Sequence, residues 1–287
     1  MRLGVATPGV IQLPGVAGEW EAAATIEDMA TIATAADGLG FDFLTCSEHV
    51  VVPRSDRAAR GDVYWDPLAT LGFLAARTTR IRLATSVLVL GYHHPLEIAK
   101  RYGTLDRISG GRLVLGVGVG SLAAEFELLG ASFADRGERA DDALRALRAS
   151  MSTPEPAYNG RYFSYSGILL RPCALQPRVP IWVGGRTRRS LRRAVELADG
   201  WMPFGLGVDD IAAMLSGVEL PDGFDLVLAT GGAVDPTEEP DRTRCQLKAR
   251  REVGATAVTC SLRARSPEHY IEQLSALRAL ADGLEGG

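Results

Sequence analysis

The sequence predicts one (β/α)8 TIM barrel, a single domain over residues 1–287 with lid insertions, and three observations predict it. Short apolar runs alternate strictly with longer amphipathic stretches, the pattern of a parallel sheet covered by helices. The alternation amounts to eight βα units, the number that closes a barrel rather than leaving an open sheet. At 287 residues the chain also suits one barrel, a fold of roughly 250 residues.

RLGVAT (2–7) reads as the first strand, and Ile26, Met29, Ala30, Ala33 and Leu39 then recur at helical spacing. FDFLTC (41–46) is the second strand and IRLATSV (81–87) the third. Pro95 opens the next helix, with Ile98, Tyr102 and Leu105 on one face. RLVLGVG (112–118) is the fourth strand, and Ala140, Ala143, Leu144, Leu147 and Met151 mark a helix behind it. PIWVG (180–184) is the fifth, with a helix through Leu191, Ala194, Val195 and Ala198. GWMPF (200–204), the weakest strand pattern, is the sixth, and a helix starts near Asp209. DLVLATG (225–231) precedes a charged helix over 238–252. TAVTC (256–260) closes the set, with Tyr270, Ile271, Leu274 and Leu277 on the last helix.

Four segments exceed ordinary loop length: 8–24, 47–66, 119–136 and 152–179. Long loops in a compact domain usually bind or cover something. The first three follow strand C-termini, where barrels place their chemistry. YFSYSG (162–167) is expected to form a small hairpin.

Composition excludes several classes. The chain is 46% hydrophobic and 23% charged with net charge −4, so it carries no basic footprint for nucleic acid or anionic membrane. No apolar run is long enough to span a bilayer, and the N-terminus lacks a signal-peptide pattern. Cys46, Cys173, Cys245 and Cys260 form no CxxC pair, which argues against structural zinc and for reduced thiols; a cytoplasmic location is expected.

Three constellations can carry chemistry. Gly116-Val117-Gly118-Val119-Gly120-Ser121 follows the fourth strand. A dinucleotide fingerprint belongs after the first strand of its fold and ends in Gly or Ala, so Ser121 and three preceding units argue against it. Glycines without a Cβ suit close approach to a planar cofactor, or simply a tight turn. Trp182-Val183-Gly184-Gly185-Arg186-Thr187 ends a strand in a glycine pair and starts a helix with Thr187 as cap. Its first-turn amides form an anion site to which Arg186 and Arg188 add charge, or the arginines are only solvated. His49, in Ser47-Glu48-His49 after strand two, is either a proton donor beside a ligand or a structural loop residue. His93 and His94 lack nearby carboxylates in sequence and are a weak metal signal, so no metal is expected. There is no GxSxG elbow, and Cys46 is expected in the barrel wall.

Residues 80–120 (RIRLATSVLVLGYHHPLEIAKRYGTLDRISGGRLVLGVGVG) and 178–204 (RVPIWVGGRTRRSLRRAVELADGWMPF) resemble the luciferase-like monooxygenase superfamily. Their detail is most similar to its coenzyme F420 (deazaflavin)-dependent oxidoreductases. The resemblance implies a (β/α)8 barrel, a homodimer and a tricyclic ring at the barrel mouth. It implies ring contacts at Ala6-Thr7 and Thr85-Ser86-Val87, with a non-proline cis peptide between Ser86 and Val87. His49 and Glu48 match the family's acid–histidine motif and are the implied catalytic pair. Gly116, Gly118 and Ser121 match the wall after strand four, and Gly184, Gly185 and Arg186 the cofactor-phosphate loop. The chain departs in having Glu48 where many relatives have aspartate, His93 where relatives often have arginine, and Ser121 and Pro53 where sugar-phosphate dehydrogenases of the family carry glutamate and tryptophan. With only Lys100 and Lys248 as lysines, a sugar-phosphate substrate is not expected.

The resulting expectation is hydride transfer between reduced F420 and a small organic substrate. FMN-dependent monooxygenation is the alternative, and a cofactor-binding barrel without turnover is a second.

Overall fold

Eight parallel strands close on themselves in a computed structural model that describes residues 1–285. They are β1 (Arg2–Ala6), β2 (Phe43–Cys46), β3 (Arg82–Thr85), β4 (Leu113–Gly118), β5 (Ile181–Gly184), β6 (Gly200–Met202), β7 (Asp225–Val234) and β8 (Ala257–Leu262). Closure runs through β1–β8 pairing (Arg2 beside Ala257) and β3–β4 pairing (Leu83 beside Leu113). One long helix follows each strand: α1 (Ile26–Gly38), α2 (Pro67–Arg77), α3 (Pro95–Ile108), α4 (Arg136–Ser150), α5 (Arg188–Leu197), α6 (Val208–Leu215), α7 (Pro240–Glu252) and α8 (Pro267–Glu285). The fold is the predicted barrel.

Local chemistry explains where the helices begin. Thr25 and Asp28 form a reciprocal capping box at α1. Asp66 caps the Ala69 amide at 2.8 Å with Pro67 in the first turn, which starts α2, a helix the apolar spacing had not marked out. His94 accepts from the Leu96 amide at 3.1 Å before Pro95 and so caps α3. The weak sixth strand is real but ends at Met202.

Inside the barrel, small residues make room for large ones. Phe43 and Trp182 meet edge to face at 5.1 Å between ring centroids. A Cβ on Gly4 would lie 2.1 Å from the Phe43 ring, and one on Gly200 would lie 2.6 Å from Trp182. Above this layer, toward the strand C-termini, β1, β4 and β5 contribute Ala6, Gly116, Gly118 and Gly184. The barrel is therefore plugged at mid-height and thinly lined at its mouth.

The expected hairpin is shifted. Tyr158–Asn159 pairs with Ser164–Tyr165, so YFSYSG supplies only the second strand. The buried carboxylate of Asp142 on α4 sets this register by accepting the Tyr158 hydroxyl at 2.6 Å and the Tyr162 amide at 2.7 Å. No helix among the described residues is long and apolar enough to cross a membrane.

Candidate active site at the barrel mouth

The Ser86–Val87 peptide is cis. Just beyond it Leu88–Val89 resumes pairing with β4, opposite Val117 and Gly118. Val87 itself reaches across the mouth: a Cβ on Gly118 would fall 2.7 Å from one of its methyls, and a Cβ on Gly184 2.8 Å from the other. Those two glycines leave the room that the Val87 side chain occupies. Gly116 serves a different need, because its Cβ would strike the Thr85 carbonyl oxygen at 1.9 Å. Thr85 is fully buried and donates to the Gly116 carbonyl at 2.6 Å, binding β3 to β4. The Ser86 hydroxyl lies 3.3 Å from the Met202 sulfur, and its carbonyl accepts the Ser47 hydroxyl.

Across the mouth, a chamber of about 80 Å³ opens between Ala6, Thr7, Thr45, Tyr270 and the loop carrying Ile11, Leu13 and Val16. Its walls are largely apolar. The Thr7 hydroxyl is buried there and has no hydrogen-bond partner among the described residues, a state that costs free energy unless a ligand or water meets it. The carboxylate of Glu21, also on the wall, is already engaged by the amides of Gly9 and Gly18 at 2.6 and 2.7 Å. A larger groove of about 620 Å³ lies among Arg148, Arg178, Asp199 and Phe224. Those residues flank the N-terminal ends of β5, β6 and β7, the barrel face that serves stability.

At the fifth strand, Gly185 has φ of +133°, and a Cβ there would meet Ser190 at 2.7 Å, so only glycine fits. Thr187 accepts from the Ser190 amide and the Ser190 hydroxyl from the Thr187 amide, which caps α5 as read from the sequence. Arg186 is exposed and stacks 6.0 Å over Phe204, while Arg188 donates to the Ala213 carbonyl at 3.2 Å. Ser121 is exposed on the segment after β4.

The adjacent residues Glu48 and His49 do not pair with each other. The Glu48 carboxylate accepts the Val89 amide at 2.7 Å and meets His93 Nε2 at 2.7 Å. His49 instead places Nδ1 2.6 Å from Glu125, a residue no motif singled out. Glu125 has no exposed surface and also accepts the amides of Val50 and Val51 and the Tyr92 hydroxyl. Burial alone would raise its pKa; the bonds from His49 and Tyr92, with the nearby imidazole, outweigh burial and hold it below the usual carboxylate range. The faint signal for Glu125 was an acidic residue beside Phe126 in the turn after the glycines. His94 spends Nδ1 on capping α3, and no group of three or more His, Cys, Asp or Glu that could hold a metal ion occurs among the described residues.

Known proteins align with this architecture. The family description luciferase-like monooxygenase matches residues 1–278. Over 265 residues the chain is 31% identical to uncharacterized protein Rv0953c of Mycobacterium tuberculosis, covering 86% of this chain and 92% of that one. A shorter similarity, 35% over 120 residues, covers 42% of this chain and 30% of 4-hydroxyprotoasukamycin monooxygenase from Streptomyces nodosus subsp. asukaensis. Monooxygenase RslO1 from Streptomyces bottropensis superposes with a TM-score of 0.80 at 20% identity, over 99% of this chain and 100% of that chain. The coenzyme F420 dependent tetrahydromethanopterin reductase from Methanopyrus kandleri does so with 0.68 at 15% identity, over 96% and 97%. At such identities these structures share the fold.

Proposed function

Because the chain belongs to the luciferase-like monooxygenase family, we propose that it moves a hydride between reduced coenzyme F420 and a small organic substrate at the barrel mouth. The observation that carries the reading is the Val87 side chain set over the barrel mouth, in room that a Cβ on Gly118 or Gly184 would take. The residues present fit a planar tricyclic ring. Val87 offers an apolar surface on one side, and on the other the buried Thr7 hydroxyl has no hydrogen-bond partner among the described residues. Gly184, Gly185 and the first turn of α5 would hold the cofactor phosphate. A deazaflavin, when bound, supplies two-electron hydride chemistry and lacks the nitrogen through which flavins form oxygen adducts.

The chain's own contribution is binding, exclusion of water and proton management. The apolar chamber beside Ile11, Leu13 and Val16 suits an uncharged substrate. His49 would donate or accept the proton that accompanies hydride transfer. The deazaflavin is favoured over FMN by the resemblance of residues 80–120 and 178–204. It is also favoured by exposed Arg186, Arg188 and Arg189, which suit an anionic polyglutamate tail. The similarity to 4-hydroxyprotoasukamycin monooxygenase supports a second reading, FMN-dependent monooxygenation. Fluorescence titration with each cofactor separates the two. Deazaflavin should bind at least about tenfold more tightly, a difference of roughly 1.4 kcal/mol. Equal affinity, or preference for FMN, would transfer the assignment to the second reading.

A further inference from the structure

Buried carboxylates recur in this barrel, and most of them tie backbone together. Asp37 collects the amides of Thr79, Arg80 and Ile81, and Asp106 those of Leu113, Leu175 and Gln176. Glu125 differs in what it holds. One oxygen, Oε1, accepts the Val50 and Val51 amides at 2.7 and 3.2 Å. The other, Oε2, accepts the Tyr92 hydroxyl at 2.7 Å and faces His49 Nδ1 at 2.6 Å.

The two amides can only donate, and the phenol donates to a carboxylate. An ionised carboxylate accepts only, so the hydrogen between Glu125 and His49 must sit on Nδ1. Tyr64 stands edge to face against the imidazole at 4.6 Å and 71°, which fixes the plane of the ring. Among the described residues nothing bonds His49 Nε2, and the side chain keeps 17% of its surface exposed. The ring is therefore held at one nitrogen and open at the other.

We infer that Glu125 is the positioning residue of this site, holding His49 in the Nδ1–H tautomer so that Nε2 is the atom that exchanges a proton with the bound substrate. The inference rests on the reading of the mouth given above, because Nε2 needs a ligand to act on. Glu125 itself neither gains nor loses the proton. Neutral His49 accepts a proton at Nε2, and protonated His49 donates from the same atom. A neighbouring group that fixes the tautomer of a catalytic imidazole is a recurrent arrangement in enzymes.

Long-range 15N–1H correlation spectra of the imidazoles test this without cofactor, and with four histidines the His49 signals are identified by their loss in His49→Ala. In the wild type, Nδ1 should resonate as a protonated nitrogen and Nε2 as an unprotonated one at alkaline pH. Glu125→Gln offers a donor in place of Oε2 and should move the population toward Nε2–H, with kcat down at least about tenfold, a loss of roughly 1.4 kcal/mol, and substrate KM little changed. A wild-type His49 found as the Nε2–H tautomer would overturn the inference, and that measurement needs no variant to fold. So would a folded Glu125→Gln protein with an unchanged tautomer. Failure to bind either deazaflavin or FMN, with the Nδ1–H tautomer present, would instead sink the reading of the mouth and leave the positioning of His49 standing.

Discussion

Glu48 meets His93 at 2.7 Å and Glu125 meets His49 at 2.6 Å, both pairs beside the same end of the barrel and both with a buried carboxylate. The difference lies in what else each imidazole touches. His93 is bound at Nε2 by Glu48, and its Nδ1 stands 3.9 Å from Glu97 on α3, so both nitrogens face carboxylates. Glu48 meanwhile holds the Val89 amide, so this pair fastens the segment after β2 to Val89 and to His93 just before α3. Among the described residues His49 is bound at one nitrogen only. The same two residue types make a clamp in one case and a tethered acid–base group in the other, and the free nitrogen separates them.

The largest expected effect breaks the comparison on the functional side. His49→Ala should lower turnover roughly 100-fold, the low end of what general acid–base catalysis contributes. Glu125 keeps the Val50, Val51 and Tyr92 donors, so the variant's melting temperature should move by no more than about 4 °C, the shift of roughly 1 kcal/mol in a chain this size. Thermal melts and steady-state rates on the same preparation decide it. A variant that melts early yet keeps its activity per folded molecule would make His49 a clamp like His93.

His93→Ala should behave in the opposite way. It leaves buried Glu48 short of a partner, at a cost of about 2 kcal/mol, which corresponds to a drop of roughly 4–8 °C in Tm. Turnover per folded molecule should stay close to wild type. A large loss of kcat in a protein that melts normally would place the Glu48–His93 pair in the chemistry, as the family's acid–histidine motif implies for Glu48.

The smallest effect is a pH signature that sharpens the contrast. Burial works against the His93 imidazolium, but the bond and charge of Glu48 outweigh it, so His93 titrates above its ordinary value. Stability from that pair is fully present below an unfolded pKa of about 6.5 and is lost as pH rises through the raised folded value. Glu125 is lowered, so its contribution is present above an unfolded value of about 4.3 and is lost as pH falls through the lower folded value. Tm measured against pH should therefore decline on the alkaline side through Glu48–His93 and on the acid side through Glu125. Glu48→Gln should flatten the first decline and spare the second, and Glu125→Gln should do the reverse. An alkaline decline that persists in Glu48→Gln would show that another group carries it.

Much of the barrel was legible in the chain because its signals are local. Apolar runs of strand length, Pro95 in a first turn, and Thr187 before α5 all report through neighbours a few residues away. The glycines after β4 and β5 were legible as close-approach positions, although what approaches them was not. In the structure it is the Thr85 carbonyl at Gly116 and the Val87 side chain at Gly118 and Gly184. The hairpin shifted because Asp142, on a helix earlier in the chain, collects Tyr158 and Tyr162.

The sequence by itself determined the eight strands, the end of the barrel where most of the long loops gather, and the presence of His49 at that end. Only the tertiary structure decided who pairs with whom. Glu48 and His49 are consecutive, so an irregular chain past β2 can send their side chains in different directions. Their true partners lie 45 and 76 residues away, at His93 and Glu125. Period and propensity report on neighbours a few residues apart, whereas pairings at that separation form only when barrel closure brings the segments after β2, β3 and β4 to a common rim.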